Sequence, residues 1–310
     1  MSKRGAHAGG FGVTVEVPDW LGKMVRAVRP KPAATPDKLS FAPPPSVDID
    51  RREKEMAFMR AFIAEEESRP RQEPADEIAA QGWYHTIELP GGVVTPGRFD
   101  HRPLLPHYGL PVDLTGKRAL DVGSGDGFWA FALERTGAEV TSVDIETFSE
   151  VDMPRAIHAL FVDRDMDLSF RQGMEIAHRR LGSKVKLVNS AIYDLDPASI
   201  GTFDFVHAGD ILLHLRDPAL ALQRLRGVCS GEALLADLFD PSIDALGAGP
   251  GLTRYRGGFH DATWWAPALS TLVQMVADAG FRDVELVTTY SLSDIDSAVG
   301  PWRAVIRARV

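Results

Sequence analysis

The chain of 310 residues is 45% hydrophobic and 25% charged, carries a net charge of −9 and contains a single cysteine, Cys229. That composition is ordinary for a globular protein with one large domain, or a domain plus an extension. It excludes an intramolecular disulfide and a cysteine-built zinc site, and no run approaches the roughly 18 consecutive apolar residues of a membrane span. The start, Met1 to Gly5, leads into no apolar signal core, so a cytoplasmic location is expected. Charge is distributed unevenly: residues 1–38 hold seven Lys/Arg against three Asp/Glu, so a basic arm precedes an acidic body. An acidic body suits a cationic small molecule better than a nucleic acid, whose phosphates must be neutralised.

In chain order, residues 1–49 read as a basic, Gly/Pro-rich arm and linker. Glycines cluster from Gly5 to Gly12, and Pro30, Pro32, Pro36, Pro43, Pro44 and Pro45 mark an extended stretch. Within the arm, Trp20, Leu21, Met24 and Val25 are spaced for a short amphipathic helix. Residues 50–110 read as an N-terminal cap. A helix is expected over 50–67, with Met56, Met59 and Ile63 along one face and Phe58 and Phe62 beside it; a β-like segment from Gly82 to Gly97 then turns at Gly91-Gly92.

From 111 to 310 there are seven strand candidates, at 118–122, 139–143, 185–189, 203–208, 233–238, 283–289 and 303–309. Helical patterns separate most of them, which implies an α/β fold with a doubly wound, mainly parallel sheet. Only a short loop, 291–300, separates the last two, and this suits an antiparallel hairpin with a reversed seventh strand. Cys229 reads as a small core filler and Trp302 as core.

The first strand of the body, Ala119 to Val122, runs into Gly123-Ser124-Gly125-Asp126-Gly127. Glycines there let the backbone approach a ligand with no Cβ in the way. The second strand ends in Asp144, where a carboxylate can accept from both hydroxyls of a ribose. Together these features indicate a bound nucleoside cofactor. A dinucleotide loop is written G-x-G-x-x-G, whereas here the third glycine comes one residue early and Asp121 stands two places before the first. That form resembles the loop of Rossmann-like methyltransferases that use S-adenosyl-L-methionine (SAM), a class whose sheet has six strands plus a reversed seventh.

Further segments resemble one branch of that class. Trp83-Tyr84-His85-x-Ile87-x-Leu89, Thr95-Pro96-Gly97, Leu114-x-Gly116-Lys117-Arg118-x-Leu120-Asp121-Val122-Gly123, Phe203-Asp204-Phe205-Val206, His214-Leu215-Arg216-Asp217-Pro218, Trp264-Trp265-x-Pro267 and Ala279-Gly280-Phe281 are similar to the family of the tRNA wobble-uridine carboxymethyltransferase and its small-molecule relatives. The resemblance covers 83–310. It implies that Asp121, Gly123, Ser124, Gly125 and Gly127 contact the methionine part of SAM, Asp144 its ribose, and the segment around Ala191 and Ile192 its adenine. In the common pattern an acid occupies the place of Ala191, so the backbone there or Asp194 would have to substitute.

At the tip of the fourth strand, relatives carry a glycine where this chain has Asp210 and a tyrosine where it has Leu213. If Asp210 begins a helix, Asp210 and His214 share one face and form a plausible proton-accepting pair, with His207 as a third candidate; the alternative is a capping Asp210 and a structural His214. Asp237 and Asp240 flank the end of the fifth strand and could bind substrate cations or a divalent metal, or begin a turn. Tyr84, His85, His260, Trp264 and Trp265 are expected to wall the substrate pocket; the alternative for Trp83 and Trp265 is that they only seal the cap to the core.

The expected function is therefore methyl transfer from SAM, leaving S-adenosyl-L-homocysteine, to an amine or hydroxyl of a small molecule. The acidic body and the gathered Asp and His residues lean toward an amino sugar, as in aminoglycoside antibiotic assembly. A tRNA-modifying enzyme with a carboxylated cofactor is the alternative, and it would need a cation such as Arg254 or Arg256 facing the extra carboxylate. A non-catalytic SAM-binding protein is the third reading.

Overall fold

The computed structural model describes residues 81–162, 171–247, 251–258, 262–291 and 301–310, together with 60, 77–79 and 169. The arm and linker over 1–49, the helix expected over 50–67 apart from Arg60, the loop 292–300 and His260 lie outside the described residues. The chain divides into two units, Met1–Asp48 and Ile49–Val310, and all the described residues belong to the second.

A two-stranded hairpin, β1 (Glu88–Leu89) and β2 (Val93–Val94), turns at Gly91 and Gly92 as the sequence predicts. The main sheet comprises β3 (Arg118–Val122), β4 (Glu139–Asp144), β5 (Lys186–Asn189), β6 (Phe203–Gly209), β7 (Cys229–Leu238), β10 (Arg282–Ser291) and β11 (Trp302–Arg309). A second small hairpin pairs β8 (Thr253–Tyr255) with β9 (Trp265–Pro267). Strand order in the main sheet is β10-β11-β7-β6-β3-β4-β5. Only β11 runs against its neighbours, so the α/β, doubly wound sheet with one reversed strand is present. The helices are α1 (Leu105–Tyr108), α2 (Phe128–Arg135), α3 (Arg155–Val162), α4 (Gln172–Leu181), α5 (Pro197–Ile200), α6 (Pro218–Val228), α7 (Pro241–Asp244) and α8 (Leu269–Asp278). No helix among the described residues is long and apolar enough to cross a membrane.

Strand alternation divides the core into two layers. Leu120, Val206, Leu235 and Ile306 pack on one face with Leu222 and Leu225 of α6 and Val276 of α8. Ala119, Phe205, Leu234 and Val305 face the other way, onto Phe131 and Leu133 of α2 and onto Trp83, Ile87, Leu89 and Tyr108 of the cap. Each fully buried Leu or Phe contributes about 1.5–3 kcal/mol. The same alternation sends Asp121 and His207 toward the cap, directly across from each other in register.

Two expectations about side chains in the body have opposite outcomes. Cys229 is buried in the first layer as a free thiol. Trp302 is not core: it is 43% exposed, because its neighbour Arg303 takes the inward-facing position where β11 begins.

Candidate active site

Strands β3 and β6 lie side by side, and the chain leaves them toward opposite edges of the sheet, which opens a crevice at their C-terminal ends. The glycine loop forms one wall. Gly123, Gly125 and Gly127 all have positive φ, and a Cβ on Gly127 would run into the Met174 and Phe131 side chains, so a larger residue at the start of α2 would be strained. Asp144 reaches the loop from the tip of β4, accepting from Gly125 N and Ile145 N at 2.8 Å each. Burial pushes its carboxyl up to about 6, with those two hydrogen bonds and Arg171 opposing. The Arg171 guanidinium donates to the carbonyls of Asp144 and Val188, pinning the tips of β4 and β5 together. Ser124 is buried within the loop, where its Oγ donates to the Asp121 carbonyl and accepts from Ser142 Oγ.

Beneath the loop, Asp121 Oδ1 bonds His207 Nδ1 at 2.6 Å, and His207 Nε2 bonds Tyr108 Oη at 2.8 Å. Tyr108 stacks on Trp129, with ring centroids 3.9 Å apart. Asp121 is 1% exposed, and His207 and Tyr108 are fully enclosed. Both ring nitrogens of His207 are engaged, so the structure gives this candidate base a place behind Asp121. The second carboxylate oxygen, Asp121 Oδ2, is buried with no partner. An orphaned acceptor of this kind calls for a ligand donor or an ordered water.

Cap and loop are joined by Asp126, which accepts from Tyr84 N at 2.6 Å and His85 N at 2.8 Å. Burial raises its carboxyl to about 6. This tie holds the His85 imidazole over Gly125, about where a Cβ on that glycine would meet it at 3.5 Å, and stacks it on Phe128. Burial, then the neighbouring His101 and His207, keep His85 well below the usual histidine range. His101 stands next to it, 5.2 Å between rings, with Phe128 and Trp129 at 5.6 and 5.5 Å. Tyr84 is 36% exposed overall, yet its phenol is held above its ordinary range, first by burial and then by Asp210.

The opposite wall corrects several expectations. Asp210 does not begin a helix: it has φ +50, and its carboxylate is bound to Arg303 Nε at 2.7 Å in a largely buried ion pair. The turn that follows is a single 3₁₀ turn, Leu212–His214, so Asp210 and His214 share no helical face; His214 Nδ1 instead approaches the Ala262 carbonyl at 3.4 Å. Asp237 points inward, where its carboxylate accepts from Leu212 N, Leu213 N and Leu238 N. Burial and the charge of Asp210 raise it to about 7. Asp240 caps α7, accepting from Ser242 N and Oγ, and pairs with Arg254. Neither carboxylate is free for a substrate cation, because the backbone and Arg254 already occupy them. Among the described residues no group of three or more His, Cys, Asp or Glu is placed to hold a metal ion.

Trp264 is buried, with its Nε1 donating to the Asp152 carbonyl at 2.5 Å and Arg216 stacked on its ring. Trp83 is buried too, donating to the Ile78 carbonyl, while Trp265 donates to the Arg216 carbonyl. Ile192 packs into the core, and Ala191, half-buried and extended, leads into the 3₁₀ turn Ile192–Asp194, in which Asp194 is exposed. The sequence reading missed Asp126, Arg171, His101 and Arg303. Asp126 was visible inside the glycine loop; the others carried no local signal.

The residues present fit SAM. Asp121 Oδ2 is an open buried acceptor for an amino group, the glycine backbone supplies a surface without side chains, and Asp144 stands at the strand tip for a ribose. The methyltransferase-domain family model matches residues 102–286. A ubiquinone biosynthesis O-methyltransferase of Xylella fastidiosa is 30% identical over 153 residues, 48% of this chain and 51% of its own. A tRNA U34 carboxymethyltransferase of Dichelobacter nodosus is 27% identical over 227 residues, 63% of this chain and 62% of its own. The chain thus spans about half to three-fifths of the length of these relatives. Among solved structures, the 1,6-didemethyltoxoflavin-N1-methyltransferase of Burkholderia thailandensis aligns over 87% of this chain and 92% of its own, at 18% identity and a TM-score of 0.43. The chain belongs to the methyltransferase-domain family of Rossmann-like proteins, whose cofactor is S-adenosyl-L-methionine.

Proposed function

We propose that this protein transfers a methyl group from SAM to a hydroxyl or amine of a small molecule. The observation that carries the reading is the orphaned Asp121 Oδ2 under a glycine loop whose far side is fixed by Asp144. Bound SAM supplies a methyl group activated by the sulfonium. The chain's own task is then to hold the amino end at Asp121, the ribose at Asp144 and the acceptor in line with the methyl, since positioning supplies much of the rate of such a transfer. His207 and Tyr108 fix the Asp121 carboxylate, and Asp126 fixes the cap that carries Tyr84 and His85.

Within that class the amino-sugar preference now rests on the acidic body alone. Asp210, Asp237 and Asp240 are occupied by Arg303, backbone N–H groups and Arg254, so they add no cation site. The wall of Tyr84, His85 and His101 favours a hydroxylated, ring-bearing acceptor over a polycation. The carboxymethylating reading is the weaker one: of its two candidate cations Arg254 is paired with Asp240, which leaves Arg256, and the nearby Arg303 is paired with Asp210. Transfer of labelled methyl from SAM to phenols, hydroxylated sugars, amino sugars and unmodified tRNA tests this. Label on a small molecule is expected; label on tRNA alone, or on nothing despite SAM binding, would overturn the reading.

A further inference from the structure

Among the described residues, four buried side-chain atoms lack any hydrogen-bond partner: Asp121 Oδ2, Arg171 Nε, and Nδ1 of both His85 and His101. Asp121 Oδ2 is accounted for by the cofactor's amino end, and Arg171 Nε belongs to a guanidinium already tied to two carbonyls. The two imidazoles remain, adjacent, His85 over Gly125 and His101 against Phe128 and Trp129 at the start of α2. Unsatisfied buried nitrogens are rare and costly enough to call for a ligand atom.

We propose that His101 is the catalytic base of the transfer, its Nδ1 taking the proton of the acceptor's hydroxyl. This rests on the methyltransferase reading above and deepens it. The acceptor's oxygen bonds to the methyl carbon as the carbon–sulfur bond breaks, and the electron pair of that bond stays on sulfur. The O–H proton passes to Nδ1 of His101, so the positive charge lost by the sulfonium appears on the imidazole. No further reactant is needed, and the proton returns to solvent after the product leaves.

His101 is 2% exposed, at the start of the 3₁₀ turn Arg102–Leu104, boxed by His85, Phe99, Phe128 and Trp129. The charged and titratable groups acting on it are Asp210 and Arg303 from the sheet edge, Asp100 beside it, and His207 beneath. Burial lowers it to about 4, so it is neutral at pH 7; Asp210 and Asp100 favour the charge it would gain, and Arg303 and His207 oppose it. His85 Nδ1 instead lies 3.9 Å from Asp126 Oδ2, the carboxylate that ties cap to loop, which leaves His101 as the imidazole without a carboxylate at its open nitrogen; burial and two neighbouring histidines also disfavour protonated His85. His207 already has both nitrogens engaged.

The test is methyl transfer to phenol acceptors by the wild type, His101→Phe and His101→Gln, with SAM affinity measured on each by calorimetry. Phe keeps the ring packing of the box, and Gln gives a second variant should Phe fail to fold. SAM affinity is expected within about threefold of wild type and turnover at pH 7 down about 100-fold, the usual scale of general-base catalysis. The deficit should narrow as pH rises above the phenol's own pKa, where the acceptor arrives deprotonated. Wild-type turnover in either variant at pH 7, or a deficit indifferent to pH, overturns the base and leaves the methyltransferase reading standing. Failure of the wild type to methylate any hydroxyl, with label going to amines alone, overturns the base as well; failure with every acceptor in the wider panel overturns the function itself.

Discussion

The tip of β3 and the tips of β6 and β7 both carry buried aspartates, and they differ in what those aspartates have left to offer. At β3, Asp121 is bound on one oxygen and open on the other. At β6 and β7, Asp210 is bound to Arg303, and Asp237 is filled by three backbone N–H groups. Open acceptors in a buried place mark a ligand site, and saturated ones mark the scaffold that shapes it. Residue type alone does not distinguish the two.

The largest effect expected is at the Asp210–Arg303 ion pair. Asp210→Ala leaves Arg303 buried without its partner and should cost about 3–5 kcal/mol of stability, read by denaturant unfolding. A loss under about 1 kcal/mol would mean that the pair is not isolated from water. On the open side, Asp121→Asn should weaken SAM binding about 10- to 100-fold, the scale of a hydrogen bond to a charged group. Asp144→Ala should act similarly through the ribose, and unchanged SAM affinity by calorimetry would sink that assignment.

The pH dependence of binding sharpens the contrast. Asp144 sits at about 6 in the free protein, and it must be ionised to accept from two hydroxyls. SAM affinity should therefore be flat above about pH 7 and fall as pH drops through 6, by up to about tenfold per unit. Asp126, also raised to about 6, adds to the same fall through the cap. Asp144→Asn should bind weakly at every pH and lose its own part of the slope; a wild-type affinity constant from pH 8 to pH 5 would count against both. The smallest effect belongs to Arg254→Ala in the exposed strand β8: under about 1 kcal/mol of stability, with no change in SAM affinity.

Much of the cofactor side was legible in the sequence because it is local. A strand, a glycine loop and an acid some twenty residues on are contiguous patterns, and the seven strands appear where hydrophobic runs place them. The acceptor side is built from distant pieces. Asp237 serves N–H groups about 25 residues upstream, and Asp210 meets Arg303 across 93 residues. Reading Asp210 and His214 as one helical face failed because Asp210 adopts a left-handed conformation and only a 3₁₀ turn follows. Trp302 was misread because hydrophobicity outranked strand alternation, which gives the inward place to Arg303. His101 has no motif around it; only the enclosing rings reveal its open nitrogen.

The most direct test of the open-versus-saturated distinction is a calorimetric titration of SAM into the wild type, Asp121→Asn and Asp237→Asn at pH 8, with thermal unfolding of each. Asp121→Asn is expected to lose about tenfold or more in affinity, while Asp237→Asn loses stability but binds SAM as the wild type does. Undiminished affinity in Asp121→Asn, or an Asp237→Asn that folds normally and no longer binds, would contradict the distinction.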